Sequence, residues 1–152
     1  MVFDRKIALF DVEAADRDEA LRLLADEFVK ADVVREDFLD GLMNREAVFP
    51  TGLILDNMGV AIPHTDPEYV KQTQLGFMRL ANPVTFQFMG DPSVDVEVNM
   101  IFMMAIKESH GQVEMLSKLM DLFGDNDLME QFREVKDFDS FFKLIEEKGL
   151  DI

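Results

Sequence analysis

The sequence predicts an α/β fold: a single domain with a mixed β-sheet of about five strands and helices packed on both faces. Three observations carry this. Short apolar runs of strand length recur through the first two thirds of the chain. Amphipathic helical patterns stand before and after them. The run Met100 to Ile106 is apolar at every position, the pattern of a central strand covered on both sides. At 152 residues and 48% hydrophobic composition, the chain can bury one substantial core, and no linker, repeat or low-complexity tract divides it. Residues 1–152 are therefore read as one domain.

Taken in order, Ile7 to Val12 forms the first predicted strand. Asp16 is an N-cap with Glu19 three residues on, opening a helix whose inward stripe is Ala20, Leu24, Phe28 and Ala31. A second helix is predicted from Glu36 to Glu46, with Phe38, Leu42 and Met43 inward. Phe49-Pro50-Thr51-Gly52 breaks it. Strands follow at Leu53–Leu55, Val60–Ile62, Leu75–Leu80 and Val84–Phe88. Gly90-Asp91-Pro92 reads as a turn, after which Val94, Val96 and Val98 alternate and merge into the apolar run. The last third is helical. Ser109 is placed as an N-cap with Gln112 at the third position, and Val113, Leu116, Leu119, Met120 and Phe123 form the apolar face up to Gly124. Asn126 or Asp127 opens a short helix with Leu128, Met129 and Phe132. Asp139 opens the last, with Phe142 and Ile145 inward and Gly149 closing it.

Composition narrows the function classes. Thirty-one acids against 15 bases give a net charge of −16, which repels nucleic-acid phosphates and anionic membrane and attracts basic partners. The absence of cysteine removes thiol nucleophiles, disulfides and thiolate metal sites. The longest apolar run is strand-sized, so no direct membrane insertion is expected, and Met1 to Phe10 lacks the apolar core of a signal peptide. The expected location is the cytoplasm. The 11 methionines fall mostly on core-facing positions, where they fill gaps.

Gly59-Val60-Ala61-Ile62-Pro63-His64 is the most informative segment. A small apolar strand runs into Pro63, which cannot continue regular pairing, and leaves one of the chain's two histidines at a rigid strand end. A neutral imidazole there is a candidate nucleophile; a turn histidine with no task fits the same spacing.

Three stretches then act together: Arg45-Glu46-Ala47-Val48-Phe49-Pro50-Thr51-Gly52, Val60-Ala61-Ile62-Pro63-His64 and His110-Gly111-Gln112-Val113. With them the chain resembles, over nearly its whole length, the EIIA domains of the bacterial sugar phosphotransferase system. Within their fructose/mannitol superfamily it is most similar to the galactitol type. The resemblance implies a phosphocarrier whose His64 takes a phosphoryl group from the carrier protein HPr and passes it to an EIIB component, without a cofactor. It implies that His110 is a second active-site histidine and that Arg45 lies near the site. Thr65 departs from the small residue, commonly glycine or cysteine, that family members carry after the histidine; its hydroxyl is one possible contact for the phosphoryl oxygens.

The chemistry asks for an unprotonated ring nitrogen facing outward and a fixed acceptor on the other. As in the family, the outward atom is expected to be Nε2, with a backbone carbonyl or a carboxylate, Asp66 or Asp56, holding Nδ1–H. Charge stabilisation has two candidate sources. Arg45 offers a planar fork, or else a surface ion pair with an acid such as Glu46. The helix starting at Ser109 offers free amides and His110 as a donor, unless His110 is an ordinary first-turn residue. No Gly-rich phosphate loop with a lysine is present, which argues against direct use of ATP. Only Lys71 lies close to His64 in sequence among the bases that follow it. Phe49, Leu53, Met58 and Val60 are candidates for an apolar docking rim, or for the core. Two other readings stand beside the phosphocarrier: a regulatory EIIA-like protein whose His64 phosphorylation state controls partners, and a metal-dependent hydrolase with His64, Asp66 and His110 as ligands.

Overall fold

A computed structural model describes residues 2–149. In chain order the elements are β1 (Ala8–Val12), α1 (Arg17–Lys30), α2 (Phe38–Val48), β2 (Gly52–Ile54), β3 (Gly59–Ala61), a 3-10 turn (Pro67–Tyr69), β4 (Gln74–Phe88), β5 (Asp91–Ala105), α3 (Ser109–Phe123), α4 (Asn126–Phe132) and α5 (Phe138–Glu147). The predicted class holds: five strands in one mixed sheet with helices on both faces.

The long hairpin β4–β5 is the frame. Its two 15-residue strands pair antiparallel from Gln74↔Ala105 to Phe88↔Asp91, with an irregularity between Arg79 and Val84. The two predicted strands Leu75–Leu80 and Val84–Phe88 are thus one strand, because pairing with β5 resumes across Ala81-Asn82-Pro83. The turn is Met89-Gly90; Asp91 and Pro92, expected in it, already belong to β5. β1 lies parallel on the free side of β4, and β3 lies parallel on the free side of β5. β2 pairs antiparallel with β3 and touches the far end of β4 at Gly52↔Phe88, so the sheet curls towards closure.

Alternation along β5 divides the core. Met100, Phe102 and Met104 face α3, α4 and α5, whereas Ile101, Met103 and Ala105 face α1 and α2. On the first side Phe77, Phe102, Phe132 and Phe141 form an aromatic cluster, with Phe77 and Phe141 stacked at 4.5 Å. Each such ring contributes roughly 1.5–3 kcal/mol by leaving water. On the second side Phe28 stacks on Phe38 at 5.7 Å, joining α1 to α2.

Helix ends follow capping chemistry. Asp16 accepts from the Glu19 amide at 2.9 Å as predicted, and α1 ends before Ala31, its C-cap, which still packs partly buried against the core with Ala20, Leu24 and Phe28. α2 begins and ends two residues later than expected, with Phe38 and Leu42 fully buried and Met43 half-buried. Asp125 and Asp137 cap α4 and α5, each one residue before the first helical position. Phe138 rather than Asp139 therefore opens α5, where Phe141 is the buried ring and Phe142 only partly so. Gly149 follows with φ +69°, the left-handed turn that glycine permits. At α3 the expectation fails in two ways. Glu108 is the cap and makes no side-chain cap bond, so Ser109 is the first helical residue. Its buried face is Met115, Leu119, Leu122 and Phe123, while Val113 and Met120 face solvent. Leu119 and Phe123 are inward as expected and Leu116 is partly buried, whereas Met115 and Leu122 are buried in place of Val113 and Met120.

Candidate functional site

β3 delivers His64 to the site. Gly59, Val60 and Ala61 pair with β5, and the alignment continues past Pro63 as a bridge between His64 and Met104, where the Met104 amide donates to the Pro63 carbonyl at 3.0 Å. The imidazole is half-buried. Its Nδ1 lies 2.9 Å from the Ile62 carbonyl oxygen. A carbonyl only accepts, so Nδ1 carries the proton and Nε2 keeps its lone pair. The holder of the ring is thus a backbone carbonyl. Asp56 and Asp66, the carboxylates considered for it, are bonded elsewhere, to Asn126 and to Arg45.

Burial holds the His64 pKa below the ordinary imidazole value; the bond to Ile62 opposes this, Arg45 lowers it further and Asp66 raises it. The net effect is a neutral ring at neutral pH.

Arg45 sits in the last turn of α2. Its guanidinium lies over the Phe49 ring at 5.4 Å and its Nη1 donates to Asp66 Oδ1 at 3.3 Å. The ion pair expected with Glu46 is absent because Glu46 turns inward. Arg45 Nε is buried and makes no hydrogen bond, so the fork is only partly used.

Glu46 is 2% exposed. Its Oε2 accepts from the Thr51 amide at 2.7 Å, and its Oε1 accepts from the Thr51 hydroxyl at 2.9 Å. Burial pushes its carboxyl pKa up, against the lowering effect of those bonds. The Thr51 carbonyl in turn accepts from the Ile62 amide at 3.3 Å. A chain of hydrogen bonds therefore runs from Glu46 through Thr51 and Ile62 to the His64 ring. Sequence reasoning missed it. The only signal was an acid five residues before a threonine, on either side of a proline break.

Thr65 is buried, and its hydroxyl is engaged in donating to the Asp66 carbonyl at 2.9 Å. The Thr65 carbonyl accepts from Gln112 Nε2 at 2.8 Å, which ties the first turn of α3 to the loop after His64. His110 lies in the same turn. It is exposed and lines a depression of ≈ 260 Å³ with Thr73, Ile106, Glu114 and Lys118. Gln112, not His110, is the α3 side chain bonded to the His64 loop. Lys71 pairs with Asp32 at 2.6 Å and is committed away from the ring.

Of the rim candidates, Phe49 is exposed, whereas Leu53, Met58 and Val60 are core residues. Val48, not expected, is exposed beside Phe49. Both border a shallow depression of ≈ 260 Å³ shared with Arg45, Asp66 and Tyr69. A larger open depression of ≈ 920 Å³ lies between the end of α3, α4 and the end of α5, away from all three predicted site residues. No helix among the described residues is long and apolar enough to cross a membrane.

Fold and site together define an α/β domain that holds one neutral, half-buried histidine at a strand end beside a partly used arginine. The chain belongs to the family of the phosphoenolpyruvate-dependent sugar phosphotransferase system, EIIA 2, which matches residues 1–148. It is 29% identical over 119 residues to the galactitol-specific EIIA component of Escherichia coli K12, covering 78% of this chain and 79% of that one. Its fold matches the PTS IIA protein PtxA of Streptococcus mutans with TM-score 0.81 at 20% identity, over 99% of this chain and 94% of that one. It also matches the E. coli complex of the mannitol enzyme IIA with phosphorylated enzyme IIB, with TM-score 0.75 at 21% identity, over 93% of this chain and 95% of that one.

Proposed function

We propose that this chain is a cytoplasmic phosphocarrier of the galactitol-type branch, accepting a phosphoryl group from phospho-HPr on His64 Nε2 and passing it to an EIIB component. The observation that carries this reading is the 2.9 Å bond from His64 Nδ1 to the Ile62 carbonyl, which favours the tautomer with an unprotonated Nε2 and so supports that atom as the nucleophile. In the forward step the Nε2 lone pair forms the N–P bond while the donor's bond to phosphorus breaks and its electron pair stays on the donor. Nδ1 keeps its proton throughout, so the ring becomes cationic and no general base is required. Onward transfer reverses these roles. In-line positioning and stabilisation of spread negative charge are all the chemistry demands. Arg45, whose guanidinium carries one exposed bond of 3.3 Å to Asp66 through Nη1, is the group proposed to meet the phosphoryl oxygens with its terminal nitrogens. His110, in the first turn of α3, is proposed as a further donor that comes into play in the docked complex. Phe49 and Val48 form the exposed apolar rim on which donor and acceptor would rest in turn.

The test is transfer of label from phosphoenolpyruvate through the general phosphotransferase proteins. Wild type takes acid-labile, base-stable label, His64→Ala takes none, and replacing Arg45 or His110 slows onward transfer without unfolding the protein. Because protonation consumes the lone pair, the acceptance rate declines as pH drops through the lowered His64 pKa. Label on His64→Ala, or no label on wild type, overturns the reading.

A further inference from the structure

The buried Glu46 carboxylate has no place in the phosphoryl step, yet it begins an unbroken series of hydrogen bonds that ends on the nucleophile's ring. We propose that Glu46 is a positioning residue for His64, acting through Thr51 and the Ile62 peptide. The proposal rests on the reading of His64 as phosphoryl acceptor. Each link is direct: Glu46 Oε2 to the Thr51 amide at 2.7 Å, the Thr51 carbonyl to the Ile62 amide at 3.3 Å, and the Ile62 carbonyl to His64 Nδ1 at 2.9 Å.

The links have few alternatives. Thr51 is 2% exposed, so its amide and hydroxyl have no water to turn to when Glu46 is removed. Ile62 is fully buried, and its amide has Thr51 as its partner. Thr51 also stands immediately before Gly52, where β2 meets both β3 and the end of β4. A shift at Thr51 therefore moves the strand pair that carries Ile62, and with it the carbonyl that sets the imidazole plane. A residue that served only to stop α2 would not need two acceptor oxygens on one threonine across the proline break. Glu46 also adjoins Arg45 in α2, so the same anchor fixes the helix turn from which the guanidinium reaches Asp66.

The experiment compares Glu46→Ala, Glu46→Gln and Thr51→Val with wild type. The glutamine keeps an acceptor for the Thr51 amide and is the rescue variant. Two readouts are taken on protein shown to be folded by circular dichroism. The first is the ¹⁵N spectrum of the His64 ring in the unphosphorylated protein, which reports tautomer and pKa and does not depend on any transfer activity. The second is the rate of label uptake from phosphoenolpyruvate through the general phosphotransferase proteins. Displacement of a reacting group by ~1 Å costs up to about 100-fold, so Glu46→Ala is expected to take label roughly 10- to 100-fold more slowly, with Nδ1 and Nε2 tautomers mixed. Glu46→Gln is expected to stay within about threefold of wild type and to keep the single tautomer, because one good acceptor preserves the link. If Glu46→Ala is too unstable to assay, Thr51→Val, which removes only the hydroxyl link, carries the test with a smaller loss of the same kind. An unchanged His64 spectrum and rate in both Glu46→Ala and Thr51→Val overturn the proposal and leave the phosphocarrier reading intact. A wild type that takes no label overturns the phosphocarrier reading, whatever the variants do.

Discussion

At His64 two neighbouring charges act in opposite directions on one ring. Arg45 disfavours the imidazolium and Asp66 favours it, while burial, the larger influence, holds the pKa below the ordinary histidine value. Removing the acid therefore lowers the His64 pKa further, and removing the base raises it. Asp66→Asn and Arg45→Gln are expected to shift the NMR titration of His64 in opposite senses, downward for the first and upward for the second, and both shifts should shrink as salt screens the two side chains. Shifts of the same sign would mean that the two side chains act through a rearranged loop and not through their charges. Much at this scale was legible in the sequence: Pro63 before His64 announced a strand end, and the Arg45 motif announced a companion. The identity of the ring's holder was not legible, because a backbone carbonyl is present at every residue and only the fold selects the one at Ile62. The inward turn of Glu46 was equally hidden, since a charged residue next to an arginine reads as a surface pair until its burial is known.

Among the elements, the alternation of β5 and the caps of α1, α4 and α5 follow directly from residue pattern. The strands that carry the site do not. β2 and β3 are three residues each, too short for periodicity to define, and they exist because β4 and β5 offer edges for them. Their close approach depends on small residues. A Cβ at Gly59 would lie 2.1 Å from the Glu97 carbonyl oxygen, a backbone atom that cannot swing aside. Gly59→Ala must push β3 off β5 at the start of the strand that delivers His64. Overpacking of this kind costs about 1–3 kcal/mol. The expected outcome is a lower urea midpoint together with a displaced His64 ring resonance, and an alanine variant with wild-type midpoint would show that β3 does not pack against β5 as described. The α3 stripe was only partly legible for a related reason. Leu119 and Phe123 are inward as the pattern indicated, Phe123 against Phe102 at 5.3 Å, but Val113 and Met120 fit a helical period as well as Met115 and Leu122 do, and only the packing turns the latter pair inward.

For the whole molecule, charge is the property the sequence states most plainly and the fold changes least. A net charge of −16 on 152 residues means that repulsion among carboxylates opposes the compact state. Against it stand surface ion pairs such as Lys71–Asp32 and Arg35–Asp37, which are solvent-exposed and therefore contribute little. Salt screens both, but the acids outnumber the bases 31 to 15, so the repulsive share is the larger. Raising sodium chloride from about 10 mM to about 100 mM shortens the Debye length from roughly 30 Å to roughly 10 Å and is expected to raise Tm. The same screening weakens the attraction of a basic partner over distance, so the rate constant for docking such a protein declines over that range. Stability and association rate should therefore move in opposite directions with salt, which calorimetry and stopped-flow measurements on one preparation can establish. A Tm that declines with added salt would mean that the ion pairs outweigh the excess of carboxylates, and the acidic surface would then be a stabilising lattice of pairs instead of a repulsive shell held in check by the aromatic core.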